Sequence, residues 1–430
     1  MVTVVGMPNG LSMSAAQRKE ACRSGIAAVA AAGFVLLSTS GAQAAASDYP
    51  TPGQPVAPGE AAQDLDPAST TVEKDEDDLR VATMSADLTG ASTEEVLADL
   101  RDGLPEARTV AETVQINAPE VLVLTGVSTD EYGEIAETLN EDYLSVSQNG
   151  QEPLDYPHVF TAETNSGMDS GADLDGDGVI GGPGDTIGYG EYPGHYGTVI
   201  FSKHPIEEDQ VRTFQEFLWD DMPENSMEED EFSELERSIL RLSTGSLWDV
   251  PIRVDGEHVH LVASSVALPE DREDVDTARG GDERRMVEDF VSGNGWYLYD
   301  DEGQQGPLIP GTRFVLLGQP MSPHGLEDEA EDLDSLLSSY VLQDTEPAVI
   351  TDQPVGERVG AEHGTDESAT RAVPSGTDVR SSYALPAAML DVSGSGVFWP
   401  GEGEYGYELV DPEAPHSPDD RLVWLDVGTL

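Results

Sequence analysis

Cysteine is nearly absent from this sequence of 430 residues. The single cysteine, Cys22, lies close to the N-terminus and ahead of an apolar run. The rest of the chain can form no disulfide and has no thiol nucleophile, which excludes a disulfide framework and cysteine-based catalysis. The fold must therefore rest on hydrophobic packing, helped by a bound ion if one is present, and the hydrophobic fraction of 38% is sufficient for a core.

Positive charge is also scarce. The chain has 21 lysines and arginines against 84 aspartates and glutamates, which gives a net charge of −63. The lysines are Lys19, Lys74 and Lys203. Because phosphate contacts need lysine and arginine, this balance argues against strong binding of DNA or RNA. An acidic surface poor in lysine suits a salty habitat or high solubility.

Two common catalytic and phosphate-binding patterns are missing as well. The sequence has no GKS or GKT phosphate loop. It also lacks the G-x-S-x-G elbow that would place a nucleophilic serine in a Ser/His/Asp triad.

The first 44 residues have the pattern of a secretory signal peptide. A positive region with Arg18, Lys19 and Arg23 precedes the apolar run 25–37, and Ala42-Gln43-Ala44 is an A-x-A cleavage signal. A membrane anchor is the alternative, but the run is shorter than the roughly 20 residues that span a bilayer. We predict a secreted, extracellular protein with no membrane segment after cleavage.

Composition divides the remaining chain at about residue 79. Residues 45–78 contain five prolines and the acidic run EKDEDD, so we predict a disordered linker there. Residues 79–430 are predicted to form the folded domain.

That domain begins with alternating strand and helix patterns. Residues 79–84 alternate as a strand does, and Ser92 with Glu95 predicts the start of a helix that ends near Leu100. A second helix is predicted from Ala107 to about Gln115. The continuous apolar run 121–126 is typical of a strand buried on both faces. Further apolar runs are 258–263, 313–317 and 422–427, and the alternation predicts an α/β layered fold.

A glycine-rich acidic loop, residues 165–195, precedes a predicted strand at 196–206. Asp173, Asp175 and Asp177 alternate in this loop, a spacing at which carboxylates can converge on calcium. The helix–loop–helix calcium motif would have a bidentate Glu at position twelve, where this chain has Gly184 followed by Asp185. We therefore consider two hypotheses: a structural calcium site formed by these four aspartates, and a solvated acidic loop.

Several stretches in this order resemble the endonuclease/exonuclease/phosphatase superfamily, and a secreted bacterial branch of it in particular. The strand after the acidic loop is similar to the pattern G-x-Y-G-(apolar)-(apolar)-x-S-(K/R)-x-P-I. Similar stretches continue along the chain: RTFQEFLWDDMP (212–223), SLWDVPI (246–252), RFVLLG (313–318), SGVFWP (395–400) and RLVWLDV (421–427). The resemblance implies a deoxyribonuclease-I-like fold, a four-layer α/β sandwich of two packed mixed β-sheets flanked by helices. Trp219, Trp248, Trp399 and Trp424 lie in or near these stretches and are expected in its core.

The resemblance also implies metal-assisted cleavage of phosphate esters, with magnesium or manganese held by residues at strand ends. The positions that carry this chemistry in the family fall on eight residues of this chain: Ser85 (family Asn), Gly126 (Glu), Ser265 (His), Gln319 (Asp), Met321 (Asn), Ser382 (Asp), and the pair Asp419-Asp420 (Asp-His). Of these positions Asp419 alone keeps the family residue, while the apolar framework around them is intact. Gly126 and Met321 have no side-chain oxygen for a hard cation.

Two functions are consistent with this pattern. The first is a pseudoenzyme that binds an unidentified extracellular ligand or acts structurally. The second is a divergent metal-dependent phosphoesterase or nuclease, acting on a small phosphoester or on extracellular nucleic acid, with a rearranged site formed by Asp87, Asp130, His324 and Asp419.

One further pair of residues has the spacing of metal ligands. His258 and His260 lie at i and i+2 of a predicted strand and so face the same side of it, which suits zinc or copper. No third ligand is evident nearby in the sequence, and a surface strand without a ligand is the alternative.

Overall fold

The apolar runs of the sequence form two mixed β-sheets in a computed structural model. The structure describes residues 72–227, 232–266, 273–320, 335–349, 368–371 and 379–428, of which 273–278 are described by their backbone alone. The predicted signal peptide and most of the predicted linker lie outside these residues, as do Met321 and His324. At the end of that linker, the backbone N–H of Val72 donates to the carbonyl of Ile116 at 3.0 Å.

The first sheet has six strands in the order β10-β11-β1-β2-β4-β3, and the second has five in the order β5-β6-β7-β8-β9. The strands are β1 (Leu79–Leu88), β2 (Val121–Val127), β3 (His158–Phe160), β4 (Gly197–Ser202), β5 (Arg212–Thr213), β6 (Ser246–Val254), β7 (Glu257–Ser265), β8 (Phe314–Gln319), β9 (Tyr383–Pro386), β10 (Val392–Val397) and β11 (Val423–Val427). The β1/β2 and β7/β8 pairs are parallel, and the other pairs are antiparallel. The strands predicted from apolar runs are thus confirmed.

Local sequence signals fix the ends of the first two helices. Helix α1 begins where the Ser92 side chain accepts the Glu95 N–H at 3.2 Å, and it ends at Gly103 with φ 101°. Helix α2 has proline at its first position and ends at Ala118, ahead of Pro119. The α-helices are α1 (Thr93–Asp102), α2 (Pro105–Asn117), α3 (Glu134–Leu139), α4 (Glu234–Ile239) and α5 (Glu273–Ser292). In the part of the chain that the structure describes, no helix combines the length and apolarity needed to cross a bilayer.

The core lies between the two sheets and beneath the helices. Strands β1, β2 and β11 of the first sheet contact β8 and β9 of the second. All seven residues of β2 are buried, as the continuous apolar run predicts. The tryptophans expected in the core are buried: Trp219, Trp248, Trp399 and Trp424 are 0%, 1%, 1% and 5% exposed. The layered α/β sandwich expected from the sequence is therefore confirmed.

Candidate functional site

The carboxyl ends of the central strands meet where the two sheets pack together. The Thr125 hydroxyl of β2 lies 3.4 Å from Oε1 of Gln319 at the end of β8. The Thr198 and Ser246 hydroxyls, at the starts of β4 and β6, lie 3.2 Å apart. Residues at this edge form what we call the strand-end cluster: Ser85, Asp87, Gly126, Ser265, Gln319, Arg371, Ser382, Asp419 and Asp420.

An arginine is paired with the two aspartates that precede β11. The Arg371 guanidinium contacts Asp419 through Nη2 at 2.9 Å and Asp420 through Nη1 at 2.5 Å. The Asp420 side chain is completely buried, whereas that of Asp419 is 64% exposed. Burial raises the pKa of Asp420, against the lowering effect of Arg371. Burial by itself would lower the pKa of Arg371, but Asp420 and Asp419 raise it above its ordinary value.

Asp87 joins this cluster through an irregularity at the end of β1. The register between β1 and β2 shifts after Ser85, and Asp87 has φ 51°, a left-handed conformation that aspartate tolerates better than most residues. Its Oδ2 accepts the Asp419 N–H at 3.2 Å. The residue is partly exposed, but neighbouring atoms bury its carboxyl group and remove water from it. This desolvation, together with the negative charge of Asp420, raises the pKa of Asp87 to about 6.

Gly126 leaves no room for a side chain at the end of β2. A Cβ atom built there would lie 2.5 Å from the Ser85 hydroxyl oxygen. The residue also has φ 64°, which favours glycine. The Ser85 side chain thus occupies the space that a side chain at this position would enter.

The remaining predicted positions carry hydroxyl and amide groups. Gln319 Nε2 lies 3.3 Å from Oδ1 of Asp420, and the Ser381 hydroxyl donates to the same oxygen. The Ser382 N–H donates to the Thr370 hydroxyl at 3.0 Å. The Ser382 hydroxyl is buried and has no hydrogen-bond partner among the described residues. Ser265 is the register partner of Gln319 across β7 and β8.

Of the residues considered for a rearranged site, the structure brings Asp87 and Asp419 together. Asp130 has another role, since its carboxylate accepts the N–H groups of Tyr132, Glu134 and Ile135 at 2.8–3.0 Å at the start of α3. Arg371 could not be identified from the sequence alone. It lies in a polar stretch far along the chain from either aspartate, and no spacing rule connects it to them.

The acidic loop forms a separate group. The side chains of Asp173, Asp175 and Asp177 place carboxylate oxygens within 4.8 Å of one another. Oδ1 of Asp173 is buried without a hydrogen-bond partner among the described residues. Asp185 does not belong to this set: it is 2% exposed and accepts the N–H groups of Leu174 and Gly181 at 2.6 and 2.7 Å. Asp185 therefore organises the loop around the three carboxylates.

Two kinds of chemistry are available from these groups. The strand-end cluster combines three carboxylates with one guanidinium and several hydroxyls, which suits hydrogen bonding to a polar ligand. The loop carboxylates supply the hard oxygen ligands that calcium prefers.

Comparison with known proteins places the chain in one family through its sequence profile. No curated protein sequence matches the chain. Among solved structures, an endonuclease/exonuclease/phosphatase from Beutenbergia cavernae shares 20% identity with a TM-score of 0.44, over 82% of this chain and 72% of that one. Sphingomyelinase C from Streptomyces griseocarneus shares 14% identity with a TM-score of 0.40, over 82% and 99% of the two chains. The sequence profile of the endonuclease/exonuclease/phosphatase family matches residues 92–318, more than half of the chain. The chain therefore belongs to the endonuclease/exonuclease/phosphatase family.

Proposed function

We propose that this protein is a secreted family member that has lost metal-dependent phosphoester hydrolysis and acts as a binding or structural protein. The observation that carries the proposal is the position of Arg371, whose guanidinium pairs with both Asp419 and Asp420. A divalent ion at the strand ends would need these carboxylates as ligands. In this chain the Arg371 guanidinium already pairs with both of them.

The space around Gly126 supports the same conclusion. The family pattern implies a metal-binding glutamate at this position, but a Cβ atom would lie 2.5 Å from the Ser85 hydroxyl. The nearest oxygen ligand on β8 is the Gln319 amide, which already contacts Thr125 and Asp420. The strand-end residues therefore do not fit a magnesium or manganese ion held by a carboxylate and an amide.

Secretion is part of the proposal and rests on the sequence of the first 44 residues. The order of positive region, apolar run and A-x-A signal supports export followed by cleavage. The ligand would then be an extracellular molecule or a small phosphoester. The net charge of −63 argues against nucleic acid.

We also propose that the loop from Asp173 to Asp185 holds a structural calcium ion. The convergence of three carboxylates and the unpartnered Oδ1 of Asp173 support this role. Bound calcium would offset the repulsion among three like charges and stabilise the loop.

Hydrolysis of bis-p-nitrophenyl phosphate by the full chain tests the main proposal. The assay is run with magnesium, manganese and calcium, each at low and high salt, and Asp419→Ala is the matched variant. We expect no metal-dependent turnover by either protein, together with a calcium-dependent rise in melting temperature that Asp175→Ala removes. Turnover that requires the metal and is abolished in Asp419→Ala would refute the loss of catalysis.

A divergent phosphoesterase with a rearranged site is the second candidate. It is favoured by the contact of Asp87 with Asp419 and by the pKa of Asp87 near 6, since a carboxyl group with such a pKa can act as a general base near neutral pH. This candidate requires turnover that increases as the pH rises through about 6 and that disappears in Asp87→Asn. A pH-independent background rate in both proteins would exclude it.

A further inference from the structure

A pocket of about 420 Å³ lies at the end of β7 opposite the strand-end cluster. His258 and His260 of β7, Glu257, Arg313 and Met389 contribute to its lining. This pocket is independent of the proposed function, because none of these residues belongs to the strand-end cluster or to the acidic loop.

A buried carboxylate fixes the orientation of His260. Its Nδ1 lies 2.7 Å from Oδ1 of Asp249 on β6, and the side chains of Asp249 and His260 are 3% and 18% exposed. An ionised carboxylate can only accept a hydrogen bond, so Nδ1 carries a proton, and in the neutral imidazole Nε2 is then the nitrogen that can bind a metal. Metal-binding histidines are commonly held in this way by a carboxylate on the other ring nitrogen.

The strand geometry places a second imidazole beside the first. His258 and His260 are separated by one residue in β7, so their side chains lie on the same face of the sheet. They are the register partners of Arg253 and Pro251 on β6. Neither position is fully buried, which leaves both rings accessible from the pocket.

The fold supplies the third ligand that the local sequence lacks. β8 is the neighbour of both β7 and β9, and Phe314 on β8 is the register partner of His260. The Phe314 carbonyl accepts the N–H of Ala387, which begins the turn after β9. This turn brings Met389 to the pocket, where 58% of the residue is exposed.

The donor set selects the kind of ion. The thioether is a soft ligand and imidazole is a ligand that copper accepts, so this set favours copper(I) over calcium, magnesium or manganese. The carboxylate in the pocket, Glu257, is paired with Arg313 at 2.9 Å and is therefore engaged elsewhere. We propose that His258, His260 and Met389 bind one copper(I) ion, with Asp249 as the positioning residue for His260.

Anaerobic titration of the full chain with copper(I), in competition with the chelator bicinchoninate, tests this site. We expect one copper(I) per chain. Met389→Leu, an exposed and nearly isosteric change, should weaken copper(I) binding by about tenfold or more, since it removes the soft ligand. Asp249→Asn should weaken it by about 10–100-fold while copper remains bound at saturation, as expected for a residue that orients a ligand. His158→Asn, a half-buried histidine on β3, is the matched control and should have no effect.

X-ray absorption of the copper(I)-loaded protein separates ligand loss from a folding defect. The wild-type spectrum should contain a sulfur neighbour that is missing from Met389→Leu, with melting temperatures of the metal-free proteins unchanged. Failure of the wild-type chain to take copper(I) from bicinchoninate would overturn the proposal. Unchanged affinity in Met389→Leu, or a preference for zinc(II) over copper(I), would also overturn it.

Discussion

Replacement of Asp87 by asparagine should stabilise the protein at about pH 8 and have little effect near pH 4. The folded state binds the Asp87 proton with a pKa of about 6, against an ordinary value of 3.8. A raised carboxyl pKa means that the folded state binds more protons than the unfolded state between these values. Stability is therefore fully present below about pH 4 and is lost as the pH rises through about 6.

The size of the effect follows from the pKa difference. About two pKa units correspond to roughly 3 kcal/mol, and screening reduces this to ~1–2 kcal/mol because the residue is partly exposed. Asparagine keeps an oxygen that can accept the Asp419 N–H, and it tolerates the φ of 51°. The stabilisation should therefore reflect the removed charge alone.

Urea denaturation at several pH values measures this difference. Asp255→Asn is the matched control, since Asp255 has the same φ of 51° but lies exposed in the turn between β6 and β7. We expect the control to change the free energy of unfolding by less than about 0.5 kcal/mol at any pH. A stabilisation by Asp87→Asn that is equal at all pH values, or absent at pH 8, would refute the electrostatic reasoning.

Three further substitutions test the other parts of the structure. Arg371→Gln should lower the free energy of unfolding by about 3–5 kcal/mol, because it leaves the buried Asp420 without the cation paired with it. The control is Arg101→Gln, which breaks the exposed pair with Glu134 and should cost at most about 1 kcal/mol in the same urea titration. Gly126→Glu should lower stability by about 2–4 kcal/mol and bind no manganese in calorimetry, since the side chain has no space beside Ser85; a stable variant that binds manganese would contradict this. Asp185→Ala should abolish the calcium-dependent rise in melting temperature and increase proteolysis of the acidic loop. The reason is that the backbone N–H groups of Leu174 and Gly181 lose the carboxylate that accepts their hydrogen bonds. An unchanged calcium response would contradict this prediction.

The strands and the first helices could be predicted from the sequence because their signals are local. The apolar run at β2, and the pairing of Ser92 with the Glu95 N–H at α1, depend on residues close together in the chain. The residues at the strand ends are identified by the family resemblance, and the parallel pair β1 and β2 brings two of those strand ends to one edge of the sheet. Their arrangement could not be predicted, because Arg371 is separated from Asp419 by 48 residues.

The histidine pair shows the same limit. Alternation in β7 predicts correctly that His258 and His260 share a face, but it cannot indicate what lies across the sheet. Asp249 reaches this face through the pairing of β6 with β7. Met389, in the turn after β9, is brought there by the pairing of β8 with β9. Partners that depend on sheet order are visible only in the folded structure.

The presence of Asp419 and Asp420 at this strand end has an explanation that does not require catalysis. Three carboxylates at one strand end, in a chain with a net charge of −63, repel one another unless a cation lies among them. In this chain Arg371 lies beside Asp419 and Asp420 and provides a positive charge. Asp420 is completely buried, so the loss of Arg371 would leave an uncompensated charge in the core. The aspartates and the arginine therefore depend on one another for stability, and a surviving aspartate at this edge is not by itself evidence of phosphoester hydrolysis.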